Sequence, residues 1–506
     1  MLSAVNRREF FGAAAAFHIV VGLGVRTAVG QETVQFGRPT VIELARQLAA
    51  APFVPLEPPV PEPLRNLPFA DYEEIGARDE ARLFADPPSG FVVEPLHSGF
   101  IYREPVELHT VRGDQVLKVA FSPDAFVYPD VEGLPPEGPL EFAGFKGSTA
   151  LNAPDHMEPF VIFAGASYFQ AVARGQVFGL SARGLALRSG EADGEEFPFF
   201  KTFWLEQPAD GRMVVHALLD SPSVSGAYRF TIRPGGETLI DVEATLFARA
   251  EIDRIGLAPL TSMHLFAAKD RRIYDDPRLA VHNSDGLVVW NGRNEWIWRP
   301  LHNPRRLQIS AFADTGPRGF GLIQREKRFS EYEALEDRFD RRPSLWVEPI
   351  GDWGPGSVVL VEIPSDREIH DNIAAFWRPE APLAAGSQTT LTYRLTWGWD
   401  APLPKGMLRV TRTLTGASER EGWRRFVIDY SEPGTQGPPP LEGLEARAQT
   451  SAGVVDDIAI SANVAIAGLR VTFDFNPEGE ASADLRVDLL RGGKVVGEVW
   501  MYLWTN

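Results

Sequence analysis

The 506-residue chain has no cysteine. Disulfides and thiolate metal sites are therefore excluded, and only His and carboxylate side chains remain as metal ligands. Histidine is itself scarce, and His282, His302 and His370 are too scattered along the chain to form a metal signature. No metal or cofactor is expected. Basic charge is also short: 50 Lys and Arg stand against 68 Asp and Glu, for a formal net charge of −18. Such a balance speaks against a nucleic-acid binder, because phosphate recognition needs clustered cations. Familiar nucleophile motifs are missing too. "GLSARG" at 179–184 narrowly misses the G-x-S-x-G elbow of serine hydrolases and has no strand-turn-helix setting. Beyond the first thirty residues no apolar run approaches the roughly 20 residues needed to span a bilayer.

Arg7 and Arg8 precede an apolar run from Phe10 to Leu23, with small residues Ala28 and Gly30 at plausible cleavage positions. The pattern reads as a twin-arginine export signal over residues 1–30, followed by a mature chain exported already folded. Helical patterning is sparse after it. Thr40 with Glu43 reads as a capping box ahead of "VIELARQLAAAPF", and Ser330 with Glu333 as another ahead of a short helix in "EYEALEDRF". A proline-rich stretch at 51–64 reads as an extended strap. Elsewhere short segments rich in β-branched and aromatic residues, such as "EPFVIFAG", "GAYRFTIRPG", "ETLIDVEATLFA" and "LTYRLTWGW", are punctuated by Gly, Pro and Asp. The fold class is all-β: a large N-terminal β-sandwich over 31–400 and an immunoglobulin-like sandwich over 401–506, divided at the proline-containing link 401–405. The final hairpin turns on Gly492 and Gly493.

Aromatic residues are dense beside acids. Trp290, Trp296 and Trp298 share a segment with Glu295 and Arg299, and Trp346 and Trp353 share another with Glu348 and Asp352. Sugar faces pack on such rings while their hydroxyls seek carboxylates and guanidinium groups. Core filling is the better account of any single tryptophan in a β-sandwich, and composition only permits a carbohydrate site. Glycosyl chemistry would require a carboxylic acid to protonate the leaving oxygen. The stretch "VEIPSDREIHDNIAAFW" at 361–377 interrupts a strand-like region with Asp366, Glu368, His370 and Asp371 and supplies candidates.

Longer blocks are more specific. "GASYFQAVARGQVFGLSARGLA" (165–186), "GEEFPFFKTFWLEQP" (194–208), "NEWIWRPLHNP" (294–304), the segment 319–349 and "VEIPSDREIHDNIAAFW" together resemble the periplasmic glucan biosynthesis proteins G and D, and the twin-arginine signal is closer to type D. The resemblance implies a galactose-mutarotase-like N-terminal sandwich, a C-terminal immunoglobulin-like domain, a periplasmic location and action on β-1,2-glucan. It further implies a homodimer and a functional link to a membrane glucan synthase.

Asp371 matches the general acid of characterised relatives, and Glu368 matches a family acid three residues earlier. Substrate contacts are expected from Asn283, Phe339, Trp296, Trp298, Arg299 and Trp346. Two positions depart from the hydrolytic relatives. Their base lies in "HDSNGL" and their proton relay runs through the tyrosine of "DRYD"; this chain has "HNSDGL" and "DRFD", with Asn283 and Phe339 at those places. An amide cannot take the proton and a phenyl ring cannot pass it. Asp285, two residues on, is the substitute base if the segment is a strand, where both would share a face. Three readings follow: an inverting transglycosylase with Asp371 as acid, which the two departures favour; an inverting endo-β-1,2-glucanase with another base such as Asp285; and a non-catalytic glucan-binding assembly protein.

Overall fold

A computed structural model describes residues 36–56, 60–85, 89–136, 140–267 and 274–506; the export signal read at 1–30 lies outside them. Phe36–Asn506 form one compact unit. The structure is nearly all β, as the alternating sequence leads one to expect. No helix among the described residues is long and apolar enough to cross a membrane.

Two large sheets face one another. The smaller, of ten strands among the described residues, includes in adjacent order Tyr168–Ala171, Ser181–Arg183, Ile255–Ser262, Ile373–Pro379, Gly356–Glu362 and Gln308–Asp314. The larger, of fifteen, carries Val224–Arg233, Thr238–Ala248 and Gln388–Gly398 near its middle. Their facing surfaces meet through Phe163 and Phe169 on one side and Phe203 and Phe230 on the other, with ring centroids 5.1 to 5.6 Å apart. Buried aromatics of this kind carry large apolar area and set the spacing of the layers. Helix Arg38–Ala50 covers the outside of the larger sheet, with Val41 and Ala45 against Trp204 and Phe247.

The two expected capping boxes differ from the structure. The first helix begins two residues before Thr40, which sits in the first turn and accepts the Gly37 backbone N–H at 3.3 Å. At Ser330 no α-helix forms. Two single turns, Phe329–Glu331 and Phe339–Arg341, stand in its place, because Glu333 takes a left-handed φ of 53° and Arg338 one of 47°. Those bends put Tyr332 and Phe339 into a small core with Met263 and Phe266, and burial of the two rings outweighs local helix preference. The strap at 51–64 ends in one helical turn, Glu62–Arg65.

The C-terminal strands pack as two layers around a core shared with Trp296, Trp298 and Trp346. Arg409–Ala417, Arg424–Ser431, Gly468–Asn476 and Val454–Asn463 make a four-stranded sheet. Opposite them, Leu444–Thr450, Ser482–Arg491 and Val499–Thr505 continue the fifteen-stranded sheet, because Val499–Thr505 pairs in parallel with Trp296–Pro300. Gly492 and Gly493 have φ of 55° and 76° in the closing hairpin, a turn that needs two positive-φ residues. The hydrogen-bonded sheet thus runs unbroken past residue 400.

Arg325 locks this junction. Its guanidinium lies 3.8 Å from the Trp298 ring centroid and donates to both oxygens of Glu498, at 2.7 and 2.9 Å, while Glu498 also accepts the Val410 backbone N–H at 2.8 Å. Glu498 has no exposed surface. Removing one partner of a buried pair strands the other charge. Glu498→Gln should therefore lower unfolding stability by about 3–5 kcal/mol in denaturant titration; a loss below about 1 kcal/mol would show that the pair is not what holds the junction.

Candidate active site

The segment 363–372 is the connection of an antiparallel hairpin between Gly356–Glu362 and Ile373–Pro379, whose ends pair Glu362 with Ile373. Asn372 fixes its return. The side-chain Oδ1 accepts the His264 backbone N–H at 2.8 Å, and Nδ2 donates to the carbonyls of His264 and Ile363 at 3.1 and 3.0 Å. At the other end Asn303 brackets Ser365, accepting its N–H and donating to its carbonyl. A polar loop bound at one end by a buried amide and at the other by a half-buried one holds its geometry better than its composition suggests.

Asp371 immediately precedes that anchor. Asp371 is solvent-exposed by surface area, but its carboxyl is near enough to surrounding protein to lose part of its hydration. Ionisation responds to the atoms packed round the carboxyl, so loss of hydration dominates and pushes its pKa up to about 6. The Thr261 hydroxyl and the Arg183 charge pull the other way but do not cancel it. Thr261 Oγ1 is buried and makes no well-formed hydrogen bond, so its hold on the carboxylate is weak.

Sheet register explains these neighbours. Thr261 pairs with Ser181 and with Ala374, and Arg183 pairs with Tyr168. Leu260, Ala182 and Phe169 enter the central core. Alternation therefore places Thr261, Ser181, Arg183 and Tyr168 on the opposite face of the ten-stranded sheet. Burial raises the pKa of the Tyr102 and Tyr168 hydroxyls, and the Asp371 charge adds to both. Thr261, Arg183 and Tyr168 thus share one sheet face, and the Asp371 carboxyl and the Tyr102 hydroxyl are near enough to be felt there. Of these only Asp371 is singled out by sequence. Arg183 lies in "GLSARG", whose resemblance to a hydrolase elbow is incidental: the segment is a strand.

The remaining sequence candidates are placed as follows. Glu368 is half-exposed and forms an ion pair with Arg278 at 2.8 Å, beside contacts from that arginine to Asp276 and Asp337. Asp285 is not in a strand with Asn283; a bend separates Val281–His282 from Gly286–Trp290. Its Oδ2 accepts the backbone N–H groups of Arg325 and Glu326 at 3.0 and 2.9 Å, while Oδ1 is buried without a hydrogen-bond partner. Burial pushes this carboxyl up to about 6 as well, against the two backbone donors and the charges of Arg325 and Lys327. It lines a cavity at the junction with the C-terminal sheet, together with His282, Trp298, Tyr332, Thr411 and Thr413. Asp371 is not among the lining residues of that cavity. Asn283 has a buried, unpaired Oδ1, and Phe339 is enclosed beside Tyr332.

The three tryptophans are core. Trp296, Trp298 and Trp346 are 3%, 5% and 3% exposed, and Trp296 stacks on Trp346 at 5.6 Å. Their rings lie directly on neighbouring backbone: a Cβ at Gly286 would fall 2.0 Å from the Trp298 ring, and one at Gly319 2.2 Å from that of Trp346. Little of their ring surface is left free, although Trp298 lines the cavity beside Asp285. Arg299 is likewise internal, donating to Glu362 at 2.9 Å. Burial works to raise the Glu362 pKa, but Arg299 and His302 outweigh it and hold the carboxyl down at about 2.

The chain matches the family described as "Periplasmic glucan biosynthesis protein, MdoG" over residues 36–504. Among similar curated proteins, a glucans biosynthesis protein G of Bradyrhizobium diazoefficiens is 44% identical, covering 99% of this chain and 100% of the relative. One of Vibrio cholerae is also 44% identical, covering 94% of this chain and 88% of the relative, and one of Shewanella baltica is 43% identical with the same coverage. The shared sequence spans both sheets, the 363–372 loop and the C-terminal sandwich, and the chain belongs to the periplasmic glucan biosynthesis protein family.

Proposed function

We propose that the protein is a periplasmic enzyme of glucan biosynthesis that acts on β-1,2-glucan as an anomer-inverting transglycosylase, with Asp371 as general acid. The supporting observation is the Asp371 carboxyl itself: partly dehydrated, on backbone fixed by the neighbouring Asn372, and raised to about 6. A carboxyl of that kind retains its proton far better than one in water and can give it to a departing glycosidic oxygen. Bond breaking at the anomeric carbon then leaves a bare glycosyl face open to attack from the opposite side.

The attacking group decides between transfer and hydrolysis. Position 283 offers an amide and position 339 an enclosed phenyl ring, so neither supplies a proton acceptor. A sugar hydroxyl positioned by the rest of the glucan needs less activation than a mobile water, because binding has already removed its translational freedom. Attack by that hydroxyl turns a β-bond into an α-bond. Its own proton passes to solvent water on the far face of the ring, and Asp371 regains from solvent the proton it gave to the leaving oxygen.

A second reading, hydrolysis with Asp285 as base, draws on that carboxyl's pKa of about 6 and its unpaired Oδ1. Against it stand the backbone N–H groups of Arg325 and Glu326, which already occupy the other carboxylate oxygen, Oδ2. Asp285→Asn separates the two readings.

Three outcomes follow. Asp371→Asn should reduce turnover of linear β-1,2-glucan by about 100- to 10,000-fold, while a non-catalytic assembly protein would show no turnover to lose and would keep its role in cells carrying this variant. Turnover of the unaltered protein should fall as pH rises through about 6, because the proton to be donated is then lost from Asp371; a rate that rises with pH across that range would exclude Asp371 as acid. Product analysis by mass spectrometry and NMR should reveal new linkages with little release of reducing ends, and Asn283→Asp combined with Phe339→Tyr should increase that release. Accumulation of short reducing oligosaccharides by the unaltered protein would contradict transfer.

A further inference from the structure

Phe197 is an anomaly on this surface. It is 50% exposed, yet every element around it is fixed. The preceding Glu196 pairs through its backbone with Leu187, and its carboxylate accepts both the backbone N–H and the hydroxyl of Ser223, at 2.9 and 2.6 Å. Glu195, one residue earlier, forms an ion pair with Arg183 at 2.7 Å. Pro198 follows and is buried, which restricts the backbone of Phe197 from the other side. A phenyl ring left half in water usually sits on a mobile loop; this one is held.

What lies beneath the ring connects it to the site. The Arg183 guanidinium, only 3% exposed, sits 5.1 Å from the Phe197 centroid and 5.0 Å from that of Tyr168. Both rings thus pack against one buried cation, an arrangement that fixes their positions. Arg183 is on the same sheet face as Thr261, next to the candidate acid. Arg183 Nε is buried with no hydrogen-bond partner.

We infer that Phe197, backed by Arg183 and Tyr168, is the aromatic platform on which one glucosyl unit of the substrate rests beside Asp371. A rigid ring with one free face loses little conformational freedom when an apolar sugar face covers it. The adjacent polar groups would meet hydroxyls at the edge of the same unit. This inference takes the nature of the substrate from the function proposed above, but it concerns binding rather than proton transfer. A competing role is physical shielding, in which Phe197 merely keeps water from the Arg183–Glu195 pair.

Affinity for linear β-1,2-glucan, measured by calorimetry on the full chain, distinguishes these roles and does not depend on turnover. Phe197→Ala and Phe197→Leu should each weaken binding about tenfold, in the unaltered background and equally in Asp371→Asn, while Phe197→Tyr should restore most of it. In steady-state kinetics the Leu variant should raise KM much more than it lowers kcat, with the pH dependence in place. Unchanged affinity in both the Ala and Leu variants would overturn the inference. So would a shift of the pH profile without a change in affinity, the signature of a shield. Should Asp371→Asn retain full turnover, the assignment of the acid fails, and weakened glucan binding by the Phe197 variants would still report the platform.

Discussion

Arg325 connects more of this molecule than any other side chain described above. Its guanidinium is enclosed between Trp298 and the two oxygens of Glu498, and its own backbone N–H is one of the donors that hold the Asp285 carboxylate. The tryptophan belongs to a strand of the main sandwich, the glutamate opens the last strand of the chain, and the aspartate occupies the bend between two others. An arginine with six percent of its side chain exposed cannot remain unpaired, so the position of the last strand and the shape of the Asp285 bend are determined together. The parallel pairing of Ile297 with Val499 and Trp298 with Trp500 extends the same constraint along the sheet. The C-terminal sandwich is therefore a structural wall of the larger one.

A second set of fixed points surrounds the 363–372 loop. Its sequence is that of a solvated turn, with five acidic, basic or imidazole side chains in succession from Asp366 to Asp371 interrupted only by Ile369. Two amides supply what the sequence lacks. Asn372 binds both the backbone N–H and the carbonyl of His264, and Asn303 brackets Ser365. Glu368 is drawn toward Arg278, while Asp371 faces Thr261. Two carboxylates three residues apart thereby enter different electrostatic surroundings, one paired with a cation and one desolvated.

The sequence conveys the strands well, since alternation of buried and exposed residues is local. The Gly492-Gly493 turn is legible for the same reason: positive φ at two successive positions calls for glycine. Legibility fails where tertiary burial competes with local preference. Ser330 and Glu333 spell a capping box, but Tyr332 and Phe339 are drawn into a common core and the backbone bends at Glu333 and Arg338 to take them there. It fails again where chemistry arises from register. Nothing within "GLSARG" reveals that Ser181 will align with Thr261, or that Arg183 will lie between Tyr168 and Phe197. The tryptophans illustrate the converse. Their density beside acids permits a sugar surface, whereas Gly286 and Gly319, the small residues that admit the rings onto neighbouring strands, are informative only once pairing is known.

The coexistence of Arg183 with a carboxyl raised to about 6 is itself a constraint on how the site works. A bare guanidinium close to Asp371 would favour the ionised form and remove the proton that a general acid must carry. Here the guanidinium is already engaged by Glu195 at 2.7 Å, so much of its field is spent on that partner and the desolvation of Asp371 prevails. Glu195 in turn shares Ser189 as a donor, which fixes its orientation toward the arginine. The cation can then lie against the aromatic rings while the Asp371 pKa stays raised. A nearby positive charge and a raised carboxyl pKa make opposing demands, and the Arg183–Glu195 pair is the element that reconciles them.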